Sequence, residues 1–333
     1  SNADAFDDYV IEASAFDYGD EIRLAMLLRN RQSGIYHWSE RITISTANWI
    51  EVLQGTMRRL ASVLNIHLSA ARIEAATGSE YQSAAAVDLW LRGQAASASW
   101  SREGCQRAQA LFEQSIRDFP DFAPAYSSLA QLQNSIHFWQ PGTFRSPETE
   151  RSGLAYALDA VRFDPMDSRA HLCLGWAYAM AKRHGDAANH HRIAVELNEN
   201  DVWTTLSAAL GAASRADFAQ ALHLEEAAQQ LNLALGPAHW GYRAQIAFLV
   251  GDYARCASAG EQAGSTIPSS PAWRIAALGH LGRQDEARQH AATFLRDIRT
   301  RWQSEEEPSD AAITRWALHL FPFSQEKDRK SVV

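Results

Sequence analysis

Cysteine is scarce and odd in number: three in 333 residues, with neither the spacing of a disulfide framework nor that of a metal centre. A disulfide-stapled fold and a cysteine-ligated zinc site are thereby excluded. Cys105, Cys173 and Cys256 each sit in alanine-rich helical stretches, where a free thiol packs as a small hydrophobe, and a reducing, cytoplasmic setting is expected. Positive charge is also short. With 31 Lys and Arg against 39 Asp and Glu, net −8, the chain lacks the basic surplus that neutralises phosphates, so no direct nucleic-acid contact by this part is expected. No apolar run approaches the roughly 18 residues of a membrane span, and no membrane segment is expected. The HExxH zinc pattern, the phosphate-binding glycine loop and the Gly-x-Ser-x-Gly elbow are all missing.

Histidine is not missing, at twelve residues, and His184, His190 and His191 form the tightest cluster. Adjacent residues on a helix point about 100° apart, whereas two ligands on one face need a spacing of three or four. The expectation is therefore no metal, no cofactor and no catalytic residue. Ser1-Asn2-Ala3 reads as the remnant of a cleaved tag, and the natural chain is expected to begin before Asp4.

Residues 8–45 carry the two-residue period of strands. Ile22, Leu24, Met26 and Leu28 alternate with Arg23, Ala25, Leu27 and Arg29, and Tyr36, Trp38, Ile42 and Ile44 share one parity. Gly-containing connections at 17–20 and 31–34 predict hairpins joining strands near 8–16, 21–29 and 35–45. The period then changes: Ile50, Leu53, Met57, Leu60 and Leu64 form one helical stripe, with Asn48 and Glu51 spaced as a cap and its partner. A sheet so small, with one helix on it, needs further cover on its face and edges; pairing of that sheet between two copies is one expected source.

From about Ala84 onward the chain is rich in alanine, with breakers at nearly regular intervals. Ala187 and Ala221, like Ala194 and Ala228, are separated by one period of a helical-hairpin repeat. Asp118-Phe119-Pro120, Asp164-Pro165 and Ile267-Pro268 are expected to close second helices, and Pro124 to sit in the first turn of the next. Gly175 opposite Ala187 is expected to let two helices approach closely. The Glu305-Glu306-Glu307 run reads as a solvated loop. Beyond it, Ile313, Trp316, Ala317 and Leu320 form the stripe of a helix capping the last repeat.

On these residues the chain resembles the tetratricopeptide repeat (TPR) family. Ala108, Phe112 and Pro120 carry the pattern in the first unit; Tyr126, Leu129, Ala130, Ala160 and Pro165 in the second; Leu174, Gly175, Tyr178, Ala187 and Ala194 in the third; Ala221 and Ala228 in the fourth; Trp240, Gly251, Ala263 and Pro268 in the fifth. A shortened sixth unit runs from about Ala272 through Ala287 to Phe294. The third unit ends at 197–200 without the expected proline. A narrower likeness rests on Tyr9–Ser14, Gly19–Leu24, Ser33-Gly34 and Trp38–Arg41, extended by Asp88–Gly93, Ala108–Glu113 and Pro120–Tyr126. These stretches are similar to the end of the TolB N-terminal or FlgO-like domain, and the repeats after it, in bacterial winged-helix transcriptional regulators and adenylate cyclases. Ala13 stands where a glycine is usual in that domain.

The expected fold is mostly α: a TPR-like α-α superhelix preceded by a small partial α+β domain, a three-stranded antiparallel sheet plus helix. The parts are a partial domain at 4–76, about six helix pairs at 84–300 and a capping helix at 309–321. The resemblance implies a non-catalytic interaction or sensing module of a bacterial signalling protein, either a transcriptional regulator or, as the alternative, an adenylate or guanylate cyclase. A protein or peptide ligand is expected in the groove lined by first helices. Register directs Gln131, Asn134, Arg169, Trp176, Tyr242 and Gln245 toward it, although Trp176 could equally pack between units and Arg169 could simply be solvated. An inserted loop containing His137, Phe138 and Trp139 either packs on the neighbouring unit or adds to the binding surface.

Overall fold

The computed structural model describes residues 9–17, 21–30, 36–45, 80–97, 101–231 and 235–320. The chain divides into two compact units, Ser1–Leu68 and Ser69–Val333. In the first, β1 (Tyr9–Asp17), β2 (Glu21–Asn30) and β3 (Tyr36–Ser45) form an antiparallel sheet in the order β1-β2-β3. The register sets Leu24 between Ala15 and Ile42, and Leu28 between Ile11 and Trp38, so the even residues of β2 pair with even residues of β3 and with odd residues of β1. One alternating set is thereby aligned on one face across the strands, as the two-residue period predicts. The helix read at 48–64 and the connecting turns at 18–20 and 31–35 lie outside the described residues.

The second unit contains, among the described residues, six antiparallel helix pairs and a thirteenth helix. The pairs are α1 (Glu80–Ser97) with α2 (Arg102–Asp118), α3 (Ala123–Trp139) with α4 (Pro147–Phe163), and α5 (Ser168–Met180) with α6 (His184–Leu197). They continue as α7 (Val202–Ser214) with α8 (Phe218–Gln230), α9 (Pro237–Leu249) with α10 (Tyr253–Ala263), and α11 (Ser270–His280) with α12 (Gln284–Thr300); α13 (Asp310–His319) follows. Each first helix touches its own partner and also the first helix of the next pair. That double contact lays the first helices side by side as one inner layer, the arrangement of a TPR-like array.

The turns inside four pairs repeat one backbone device. Lys182, Ala216, Gly251 and Gly282 occupy the left-handed region, and the next residue's N–H returns to a carbonyl one turn back. These bonds are Arg183 N to Tyr178 O (2.9 Å), Asp217 N to Ala212 O (3.0 Å), Asp252 N to Ala247 O (2.9 Å) and Arg283 N to Leu278 O (2.9 Å). This is the closure that satisfies orphan carbonyls at a helix end, and it sets the same reversal each time. Between pairs, the stops at Asp118 and Phe163 fall where the Phe-Pro and Asp-Pro sequences place them, and Pro124 occupies the first turn of α3. The stop expected at Ile267-Pro268 comes earlier: α10 ends at Ala263 because Gly264 takes a φ of +57°. Proline there acts in the loop, after glycine has already ended the helix.

Small residues fill the inter-helix seams, and Ala108, Ala157, Ala160, Ala187, Ala194 and Ala221 are completely buried. Gly175 departs from its expected partner. A Cβ on it would lie 2.2 Å from His191 Cδ2, so the space it leaves is filled by the imidazole one turn beyond Ala187. Gly211 on α7 borders the same ring, its absent Cβ 2.4 Å from Nδ1 and Cε1. His191 is thus wedged between two first helices as well as held on its own second helix.

Glu225 on α8 is 3% exposed and lies between Arg243 Nε (3.1 Å) on α9 and Arg255 Nη1 (3.0 Å) on α10. A buried carboxylate needs its partners, because the desolvation it suffers is repaid by their charge. Arg243→Met leaves Arg255 in place and is expected to cost about 1–2 kcal/mol. A urea melt of the variant showing no loss would remove this account.

Candidate functional site

The inner layer gathers side chains from consecutive first helices into two polar groups. The first joins α1, α3 and α5. Trp90 Nε1 donates to Ser128 Oγ (3.0 Å), and that hydroxyl also meets Pro124 O (2.7 Å) and the Gln94 amide (2.8 Å). Gln94 Oε1 then faces the Arg169 guanidinium (3.3 Å), which also donates to Gln131 Oε1. Among the described residues no carboxylate forms an ion pair with Arg169. Asp167 is spent on capping α5, accepting from Arg169 N at 2.9 Å, and burial pushes its carboxyl up. The half-buried arginine is hydrogen-bonded by two neutral amides, and the Asp167 carboxylate acts on its charge from a distance without an ion pair.

The second group joins α5, α7 and α9. Trp176 Nε1 donates to Ser207 Oγ at 2.7 Å, and the Tyr242 phenol lies close enough to the same serine to feel its hydroxyl. Burial pushes that phenol up to about 12 against the opposing effect of the Ser207 hydroxyl. Trp203 meets the Tyr242 ring edge-on at 5.2 Å. Arg169 and Trp176 are two turns apart on α5 and so share a face, which is why one helix serves both groups.

Of the residues that the sequence directs to the groove, Gln131 and Arg169 come together, and Trp176 and Tyr242 meet through Ser207. Asn134 belongs to neither group: its amide donates to Cys173 O at 2.9 Å and braces α3 on α5. Gln245 is buried at 3% exposure, with its Oε1 making no hydrogen bond. Gln94, Ser128 and Ser207 were not found from sequence. Carrying the register of Gln131 and Arg169 back one unit leads to Gln94, but serine in an alanine-rich helix gives no comparable signal.

The inserted loop also needs correction. His137, Phe138 and Trp139 form the last turn of α3, and the loop proper is 140–146. The apolar run Ile136–Trp139 continues the helix because no proline or glycine intervenes before Pro141. His137 is fully buried. Its Nε2 donates to Leu320 O (3.1 Å), its carbonyl accepts from Trp316 Nε1 (3.1 Å), and burial beside Arg145 pushes its pKa down to about 3.

The two polar groups offer donors, acceptors and ring faces, which are means of recognition. Cys173 and Cys256 are buried thiols pushed up to about 12, far from the thiolate a nucleophile needs. Among the described residues no three His, Cys, Asp or Glu side chains are placed to share a metal ion, and no helix is long and apolar enough to cross a membrane. His190 is instead paired with His171, Nδ1 to Nδ1 at 2.9 Å, while His171 Nε2 bonds Pro165 O.

No family model matches the sequence, and no curated protein matches it. The chain is similar in structure to pilF of Pseudomonas aeruginosa at 15% identity, over 71% of this chain and 97% of that one, with a TM-score of 0.43. It is likewise similar to a tetratricopeptide repeat protein of Parabacteroides merdae at 15% identity, over 74% and 86% of the two chains, with a TM-score of 0.46.

Proposed function

We propose that this chain is a non-catalytic interaction module that takes a protein or peptide ligand on its inner layer, within a bacterial signalling protein of the transcriptional-regulator kind. The observation that carries the reading is Arg169: a guanidinium on the inner layer, oriented by Gln94 and Gln131, whose own hydrogen bonds go to neutral amides rather than to a carboxylate. A cation held this way attracts an acidic or carbonyl-rich partner, while the neighbouring Trp176–Ser207–Tyr242 group supplies apolar contact area. The regulator context follows the likeness of residues 9–45 to the TolB N-terminal or FlgO-like domain. Specific DNA binding by the intact protein would support it, and cyclase activity of the intact protein would replace it with the alternative.

Arg169→Ala is expected to lower capture of the natural partner by about tenfold or more, as loss of an anchoring arginine does. Partner identity is set by mass spectrometry and affinity by titration of the purified pair. Unchanged affinity in Arg169→Ala, and again in Trp176→Ala with Tyr242→Ala, would eliminate the inner layer as the binding surface.

A further inference from the structure

The helix after the six pairs is bound to a distant part of the array. α13 is reached from α12 through residues 301–309, which contain no helix, and touches α12 only slightly. Yet Ile313, Trp316 and Leu320 are 1%, 0% and 2% exposed, among the least exposed large side chains of the chain. Their cluster holds the core of the later pairs together with Phe138, Phe144, Trp176 and Tyr242. The helix and the groove residues Trp176 and Tyr242 thus border one continuous apolar cluster.

Its polar ties go to the α3 end and the loop after it. Besides the two bonds at His137, Arg145 N donates to His319 Nε2 (2.9 Å), Arg145 Nη2 to His319 O (3.2 Å), and Gln303 N to Pro141 O (2.9 Å). Gly142, at φ +85°, lets the loop close on the segment: a Cβ there would lie 2.9 Å from Ser304 N and the Trp302 ring. Toward its own neighbours in sequence the helix is held by exposed ion pairs, Arg299 with Asp310 and Arg315 with Glu306. Such pairs are worth little, so the seat on the distant loop and core holds the helix, while residues 301–309 let it leave without unwinding α12.

We propose that Trp302–Leu320 is a cis-acting ligand: the chain's own amphipathic helix occupies part of its recognition surface and yields to a partner helix with apolar residues at i, i+3 and i+7. Ile313, Trp316 and Leu320 are the template for that pattern, one stripe of a helix laid on an apolar seat. The inference rests on reading the inner layer as a binding surface. It adds the partner's chemistry and a competitor built into the chain, so that apparent affinity falls in proportion to the time the seat is filled.

The probe is a fluorescein-labelled peptide of residues 308–322, titrated into the full chain. Trp316→Ala in the protein is expected to raise its affinity for the unaltered peptide by about tenfold or more over the wild-type chain, with the peptide's own Trp316→Ala abolishing binding. Equal affinity for variant and wild type, or no binding to a folded variant, overturns the proposal. Should Trp316→Ala unfold the chain, hydrogen exchange on the wild type decides. Amides of 312–320 that exchange about a hundredfold faster than those of Leu206–Ala213 mark a helix that detaches alone, and equal rates mark one that does not. A failed peptide experiment alongside a damaging Arg169→Ala leaves the inner layer as the binding surface and removes the cis ligand alone.

Discussion

Lowering the pH from 7 to 5 is expected to cost the folded chain about 4 kcal/mol, measured as the difference between urea melts at the two values. Two buried histidines carry this. His137 and His191 are both pushed down to about 3, first by desolvation and then by Arg145 for His137 and Arg215 for His191. In the unfolded chain each titrates near 6.5, so between about 3 and 6.5 the unfolded state binds protons that the native state does not. Stability is therefore fully present above about 6.5 and falls as the pH drops, by about 2 kcal/mol per histidine at pH 5. His184, His190 and His239 are also shifted down by burial and act in the same direction. His191→Leu is expected to remove close to half of the loss; a pH dependence unchanged in that variant would show that the buried imidazole is not its source.

The array was legible because its physics is local. Alanine at one-period spacing, Pro124 in a first turn and the Asp-Pro stop before Ser168 each act within a few residues, so the helix pairs follow from the sequence. The strands were legible for the same reason, since the two-residue alternation of Ile22–Leu28 and Trp38–Ile44 is local, and the register that sets Leu24 beside Ile42 came with the structure. Residues of the inner layer were legible in part. Register along α3, α5 and α9 located Gln131, Arg169, Trp176 and Tyr242, but could not show that Asn134 is spent on Cys173 O or that Gln245 is enclosed. The seat of α13 was not legible at all. Its stripe could be read, but the partner that receives it, His137 with its following loop, is far away in sequence, and no periodic signal encodes such a contact. The turns were missed because Lys182 and Ala216 adopt a left-handed backbone that their residue types do not announce.

Gly175 was read correctly as a point of close approach and assigned the wrong occupant, and the true one makes a sharp prediction. Gly175→Ala and Gly211→Ala are each expected to destabilise the chain by about 2–3 kcal/mol, because each Cβ lands well inside the radius of the His191 ring. The ring has no retreat: it is 2% exposed, with Gly175 on one side, Gly211 on another and Trp176 at 5.4 Å. The sign should reverse once the ring is gone. In a His191→Ala background, Gly175→Ala meets no imidazole and gains the helix propensity that glycine lacks, about 1 kcal/mol. A double-mutant cycle on urea stability measures the difference, and an interaction energy of about 3–4 kcal/mol is expected, the cost of the single glycine substitution plus the regained helix propensity. Independent, additive effects would mean that the glycine serves the backbone of α5 itself, and the wedge between the two first helices would lose its explanation.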